Sequence, residues 1–422
     1  MKKLYFDFAA TTPLSPLVRE AMEPYFLEKF GNPGSLHSFG QEALKAVDES
    51  RQTFARIFGF SERDGFRQII FTGSATEANN LILRGAVNFF TTVKRPHRCL
   101  AGFSPPRLII SSIEHDSVFE TAKDLEKKGI EVVIIPVNKK GFVDLKKIKE
   151  SLNEQTVLVS IIFGSNEIGS IQPISEIAKI IREFRNLKKT PNSKDLINLY
   201  PLFHTDSVQS FQYFDCSLEE LGLDLATFSS HKIYGPKGIG AFCLKNSDLN
   251  KIFEPAITGG GQEFGLRSGT ENVASIVGFA KAVEETVRLR DKERKRIYDL
   301  KYYFWKKIKE KLTFIKLNAE EDINLESIKK YDFLPHILNI CFTGYPADEL
   351  IIKLDLDGLA VSAGSACSAR SLKPSRVLLG LGLSEKQALS SLRFSFGRQT
   401  DKNQIEKAIK IITRTFKPNS PR

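Results

Sequence analysis

Residues 229–238 read Ser229-Ser230-His231-Lys232-Ile233-Tyr234-Gly235-Pro236-Lys237-Gly238. The stretch joins two apolar runs of strand length, 223–228 and 239–244. Gly235-Pro236 and Gly238 make the link a turn. A lysine in such a turn is ordinarily a solvated surface charge. This one follows a histidine and two hydroxyls, groups able to line a phosphate pocket. Lysines in partly desolvated sites lose their proton and form Schiff bases with carbonyl compounds. Taken alone, the stretch leaves both readings open.

Working outward, the same strand–turn pattern recurs. Residues 68–71 predict a buried strand, followed by Thr72-Gly73-Ser74-Ala75-Thr76-Glu77 and a helix to about residue 90. Strand, small-residue turn, helix is an anion-binding geometry, because free N–H groups and the helix dipole point at the turn. Such turns also simply cap helices. Further strands are predicted at 107–111, 131–136, 156–163 and 202–205, with helices at 41–58, 116–128 and 174–187. This alternation predicts an α/β domain with a largely parallel sheet and ligands at the carboxyl ends of its strands. Glu114-His115, Asn166-Glu167 and Asp206 with Gln209 fall at such ends. Any one of them is as well explained as a cap; their repeated placement points to a site.

Gly259-Gly260-Gly261 and Arg267-Ser268-Gly269-Thr270 precede a long charged helix over 273–311. After it the pattern changes: strands at 336–342 and 392–396, helices at 347–355 and 402–413, a second and smaller α+β domain. Ser362-Ala363-Gly364-Ser365-Ala366-Cys367-Ser368-Ala369-Arg370-Ser371 reads as a small, polar loop. Its cysteine is expected to be accessible, unlike Cys243 in a core strand. Segments 92–106, 188–200 and 318–333 look inserted, being polar or proline-bearing without periodicity.

Composition sets outer limits. The 422 residues are 41% hydrophobic and 26% charged, ordinary for a globular chain of about two domains. The net charge of +11 is a generally basic surface, since no basic block alternates with aromatics as in a nucleic-acid groove. Direct nucleic-acid binding is not expected. No apolar run approaches a membrane span, and Asp7 breaks the short apolar start, so no signal peptide is predicted. The five cysteines are scattered, with no CxxC pair. That argues against a disulfide framework or a zinc site and fits a reducing, cytoplasmic compartment.

Taken in order, these motifs resemble the cysteine desulfurases, the NifS/IscS-like branch of the class V aminotransferase family. The resemblance runs through Asp7-Phe8-Ala9-Ala10-Thr11-Thr12-Pro13, Phe30-Gly31-Asn32-Pro33, Ala75-Thr76-Glu77, Glu114-His115, Asn166-Glu167-Ile168-Gly169 and Thr205-Asp206-Ser207-Val208-Gln209-Ser210. It continues through Ser229-Ser230-His231-Lys232, Arg267-Ser268-Gly269-Thr270, Gly364-Ser365-Ala366-Cys367 and Arg393-Phe394-Ser395. It implies the α/β architecture of fold type I transferases that use pyridoxal 5′-phosphate. The large cofactor-binding domain would span 16–290; 1–15 and 291–422 would form the small domain carrying the cysteine loop.

The resemblance also implies roles. Lys232 matches the lysine that forms the Schiff base with the cofactor, Asp206 the partner of its pyridine nitrogen, and Gln209 the residue that hydrogen-bonds its phenolic oxygen. His115 would stack on the ring. Ala75, Thr76, Ser229 and His231 would hold the phosphate, with Thr270 contributed by the neighbouring subunit of a homodimer. Asn166 and Arg393 match the groups that hold the substrate carboxylate, a guanidinium giving bidentate recognition. Cys367 would take sulfur from L-cysteine as a persulfide, leave L-alanine, and pass the sulfur to an acceptor or iron–sulfur scaffold protein. The same fold serves selenocysteine lyases and aminotransferases, but a transaminase needs no thiol at Cys367. A retired enzyme kept as a basic scaffold would have no need of Lys232, Asp206, His115 and Cys367 together. Ser230 stands where the family usually has glycine, Phe163 where it often has histidine, and Lys373 where glutamate is common.

Overall fold

The computed structural model describes residues 3–61, 64–94, 104–188, 199–255, 257–320, 323, 332–364 and 373–416. Its central layer follows from period-two apolar patterning. In β2 (Ile69–Thr72), Ile69 and Phe71 pack into one core while Ile70 packs into another. β3 (Arg107–Ser111), β6 (Leu202–Asp206), β7 (Leu225–Ser229) and β8 (Gly240–Leu244) divide in the same way. Ile109, Phe203, Phe228 and Cys243 face one side; Leu108, Leu202, Leu225 and Phe242 face the other. Apolar on both faces, the sheet must be covered on both faces.

With β4 (Glu131–Ile135) and β5 (Thr156–Ser160), seven strands pair in the order β2-β8-β7-β6-β5-β3-β4. β3 to β7 are mutually parallel, and β8 alone runs against its neighbours. Parallel neighbours need crossover connections, here mostly helices. Helices Ala75–Lys94 and Asp116–Lys127 cover one face. Ser38–Ile57, Ile174–Lys188 and the start of Val273–Lys311 cover the other.

The 39-residue helix Val273–Lys311 carries the chain from one core to the next. Val273 to Val283 pack against the sheet, and Ile297 to Ile308 against a separate cluster. That cluster backs the antiparallel sheet of β9 (Ile315–Leu317), β10 (Ile337–Phe342) and β12 (Ser391–Ser395). The N-terminal β1 (Leu4–Tyr5) joins this half of the chain, pairing in parallel with β11 (Leu359–Ala360).

Most predicted elements lie within a few residues of their expected bounds. The helix predicted to end near residue 90 runs to Lys94, and the short helix Leu145–Ser151 was not anticipated. Residues 95–103, 189–198, most of 321–331 and all of 365–372 lie outside the described residues, and with them Cys99 and Cys367. At the ends of the supposed insertions, Tyr200 and Asn318 are buried; Tyr200 packs beside Phe89 and Phe90.

Candidate active site

The carboxyl ends of β2, β3, β5, β6 and β7 open on one cavity of about 410 Å³, within the roughly 300–1,000 Å³ of small-molecule sites. Asp206, the last residue of β6, is 4% exposed there. Its Oδ2 accepts from Asn79 Nδ2 at 2.9 Å and its Oδ1 from the Val208 N–H at 3.0 Å. A carboxylate has about four acceptor positions, so capacity remains toward the cavity.

His115 caps the helix Asp116–Lys127: its Nδ1 accepts from the Ser117 N–H at 3.1 Å. That bond puts the proton of a neutral ring on Nε2. Burial pulls its pKa below the usual imidazole value, against the pull of Asp206. Asn79 also donates to Ser117 Oγ at 2.8 Å, so one buried amide holds both the Asp206 carboxylate and the residue that orients His115.

Lys232 ends the short helical turn Ser230–Lys232 after β7. Its Nζ donates to the Ala9 and Ala10 carbonyls at 2.6 and 2.7 Å. The N-terminal segment is fastened beside it. Thr12 N–H and Oγ1 both bond the His231 carbonyl, Thr12 Oγ1 accepts from the Tyr234 N–H, and His231 Nδ1 lies 3.1 Å from Thr11 Oγ1. Burial, with Lys232 and Lys237 nearby, takes the His231 pKa down to about 4.

Gly240 begins β8 in register with both Thr72 and Ser229. A Cβ there would stand 2.6 Å from the Ala75 nitrogen, so glycine is what lets the Ser74-Ala75 turn lie on the sheet. Ala75 and Thr76, which open the helix Ala75–Lys94, line the cavity, so the positive end of the helix dipole lies against it. Ser229 and His231 line the same end.

Arg393 enters from β12 and is 1% exposed. Nη2 pairs with Asp7 Oδ1 at 2.9 Å and Nη1 donates to the Asn166 carbonyl at 2.7 Å, while Nε is buried without a hydrogen-bond partner. Asn166 and Gln209 complete the wall.

Known families and proteins share this architecture. The class V aminotransferase model matches residues 4–408. The chain belongs to the class V aminotransferase family, in its NifS/IscS-like branch. A relative from Dictyoglomus turgidum, named cysteine desulfurase IscS, is 38% identical over 98% of this chain and 94% of its own. A solved NifS-like protein superposes with a TM-score of 0.82 at 31% identity, over 98% of this chain and 99% of that one. A second solved relative, SspA in complex with cysteine, gives a TM-score of 0.74 at 32% identity, over 93% and 98% of the two chains.

The structure brings Ala75, Thr76, His115, Asn166, Asp206, Gln209, Ser229, His231, Lys232 and Arg393 to one cavity. Thr270 is exposed on the loop before Val273 and does not line it. Glu114, marked with His115, turns away: its carboxyl is buried among Ser111 and the Ile162 N–H and does not line the cavity. Glu167 likewise bonds Ser375 Oγ, at 2.5 Å, rather than facing the cavity. Asn79 and the Ala9 and Ala10 carbonyls were missed. A fully buried asparagine on an otherwise apolar helix face was a readable signal; backbone carbonyls have none.

Pyridoxal 5′-phosphate, which membership of this family implies, fits the residues present. An anion-receptive helix end, a buried carboxylate with acceptor capacity to spare, and a lysine amine surround one cavity.

Proposed function

We propose that this chain is a cysteine desulfurase that binds pyridoxal 5′-phosphate, converts L-cysteine to L-alanine and retains the sulfur on Cys367. The observation that carries the reading is the shared cavity of Lys232, Asp206 and Arg393 in a NifS/IscS-like chain. The complex of SspA with cysteine supports the substrate.

Bound, the cofactor supplies an electron sink for the pair released at the substrate Cα. The chain's own groups do the rest. Asp206 holds a proton on the pyridine nitrogen. Ala75, Thr76, Ser229 and His231 receive the phosphate, Thr270 of a second copy adding a hydroxyl in a homodimer. His115 covers the ring. Arg393 and Asn166 hold the substrate carboxylate, and the unpartnered Arg393 Nε–H is a donor available to it. Lys232 would anchor the cofactor, and its amine would take the Cα proton.

Cys367, as thiolate, attacks the substrate sulfur. The Cβ–S bond breaks, its electron pair stays with the carbon and is protonated, and an S–S bond forms on Cys367. Alanine and a persulfide result, and a thiol of an acceptor or iron–sulfur scaffold protein takes the outer sulfur. Cys216, Cys243 and Cys341 are buried free thiols, which supports a reducing cytoplasmic setting and leaves the sulfur-bearing role to another cysteine. Among the described residues no helix is long and apolar enough to cross a membrane. The passage of the helix Val273–Lys311 between two cores supports a domain boundary near residue 290, with residues 1–15 joining the smaller domain.

The test is alanine and sulfide production from L-cysteine, with and without an added reductant. One alanine per enzyme without reductant, and continued turnover with it, is the expected pattern. Cysteine consumed without alanine would overturn the reading.

A further inference from the structure

Gln209 and His336 form a pair whose polarity follows from heavy atoms alone. Gln209 Nε2 lies 2.9 Å from the Ala9 carbonyl oxygen. A carbonyl only accepts, so the amide group facing it is the NH2. The amide oxygen therefore faces His336 Nε2, 3.1 Å away. An amide oxygen also only accepts, so His336 Nε2 carries the proton. The same Ala9 oxygen receives Lys232 Nζ. Histidine, glutamine and lysine are thus joined through one carbonyl.

His336 precedes β10 and does not line the cavity. It is 2% exposed, its ring lies 4.8 Å from that of Tyr213, and its Nδ1 has no hydrogen-bond partner. An imidazolium would bury a second N–H without an acceptor. Burial, together with the charges of Lys301, Arg393 and Lys232, holds its pKa well below the usual value. The ring is neutral and its one proton is committed to Gln209.

We propose that His336 is a positioning residue of the active site, fixing the Gln209 amide so that its NH2, and not its oxygen, is turned to Ala9 and the cavity. Gln209 has two N–H bonds to give. One goes to Ala9, which leaves the other for a group in the cavity. On the function proposed above, that group is the phenolic oxygen of the cofactor. Its anionic form is favoured by a donor and opposed by a carbonyl dipole. The inference rests on that function.

A packing role against Tyr213 is separated from this one by a double-mutant cycle. Apo-protein prepared from the holoenzyme is titrated with pyridoxal 5′-phosphate for the parent, His336→Phe, Gln209→Leu and the double variant. The pH midpoint of the bound cofactor's visible absorption and the thermal midpoint are recorded for each. His336→Phe keeps the ring contact and removes the donor. It is expected to weaken binding about tenfold and to move the absorption midpoint upward by about one pH unit. In the Gln209→Leu background the same change is expected to alter binding by less than about twofold. His336→Gln, which retains an N–H donor, is expected to stay closer to the parent than His336→Phe. Should His336→Phe fail to fold, His336→Leu takes its place in the cycle. Equal effects in both backgrounds, or no effect in the parent, would overturn the proposal while leaving cofactor binding intact. A parent that binds no pyridoxal 5′-phosphate would overturn both it and the function.

Discussion

Arg393 Nη2 lies 2.9 Å from Asp7 Oδ1, joining the N-terminal segment of the chain to the last strand of the small sheet. Arg393 is 1% exposed, and Asp7 is its carboxylate partner. Asp7→Asn removes the charge and leaves the guanidinium buried. We expect a loss of about 3 kcal/mol in stability, as for other half-broken buried pairs, and a raised KM for cysteine. Urea unfolding and steady-state kinetics measure the two. An unchanged unfolding midpoint would mean that Arg393 has another counter-charge.

On the proposed function, Lys232→Ala removes both the cofactor anchor and the Cα base. Turnover is expected to fall by at least about 100-fold, the low end for loss of a general base. The lysine amine donates to two N-terminal carbonyls, polar bonds of modest net worth, so the thermal midpoint should change little. Alanine formation at the parent rate would remove Lys232 from the mechanism.

Ser230 follows β7 in the turn that carries Lys232. Its hydroxyl is fully buried with no hydrogen-bond partner. Ser230→Ala deletes a desolvated group that has no compensating bond, so stability should hold or rise, by up to about 1 kcal/mol. A clear loss in thermal unfolding would reveal a partner for the hydroxyl.

Much of the fold was legible in the sequence because it rests on long, regular patterns. The helix Val273–Lys311 was predicted at its observed bounds, and β3 likewise. β9 escaped, being three residues on a sheet edge with one buried side chain. Leu145–Ser151 escaped because only Ile148 is buried, too few apolar positions to set a period. In the site, charged and aromatic groups at strand ends were readable, but their direction was not. Glu114 and His115 are adjacent, yet one turns into the core and the other into the cavity. Only the register of β3 and the cap at His115 decide which.

Glu114 sets a pH dependence. Burial raises its carboxyl from the ordinary 4.5 to about 8, opposed by hydrogen bonds from Ser111 and Ile162. The folded state therefore holds a proton that the unfolded state releases. Its contribution to stability is full below about 4.5 and is lost as pH rises through about 8. Glu114→Gln cannot ionise, so the parent should lose stability relative to it across that window. Urea unfolding from about pH 5 to about pH 9 measures both slopes. Parallel slopes would place the carboxyl's titration elsewhere.

On the proposed function, sulfur from cysteine comes to rest on one particular thiol. Peptide mass spectrometry after brief treatment with L-cysteine, in the absence of reductant, tests it most directly. One added sulfur atom is expected on the peptide containing Cys367, and none there in Cys367→Ser. An added sulfur on the peptides of Cys341 or Cys243, with none on that of Cys367, would contradict it.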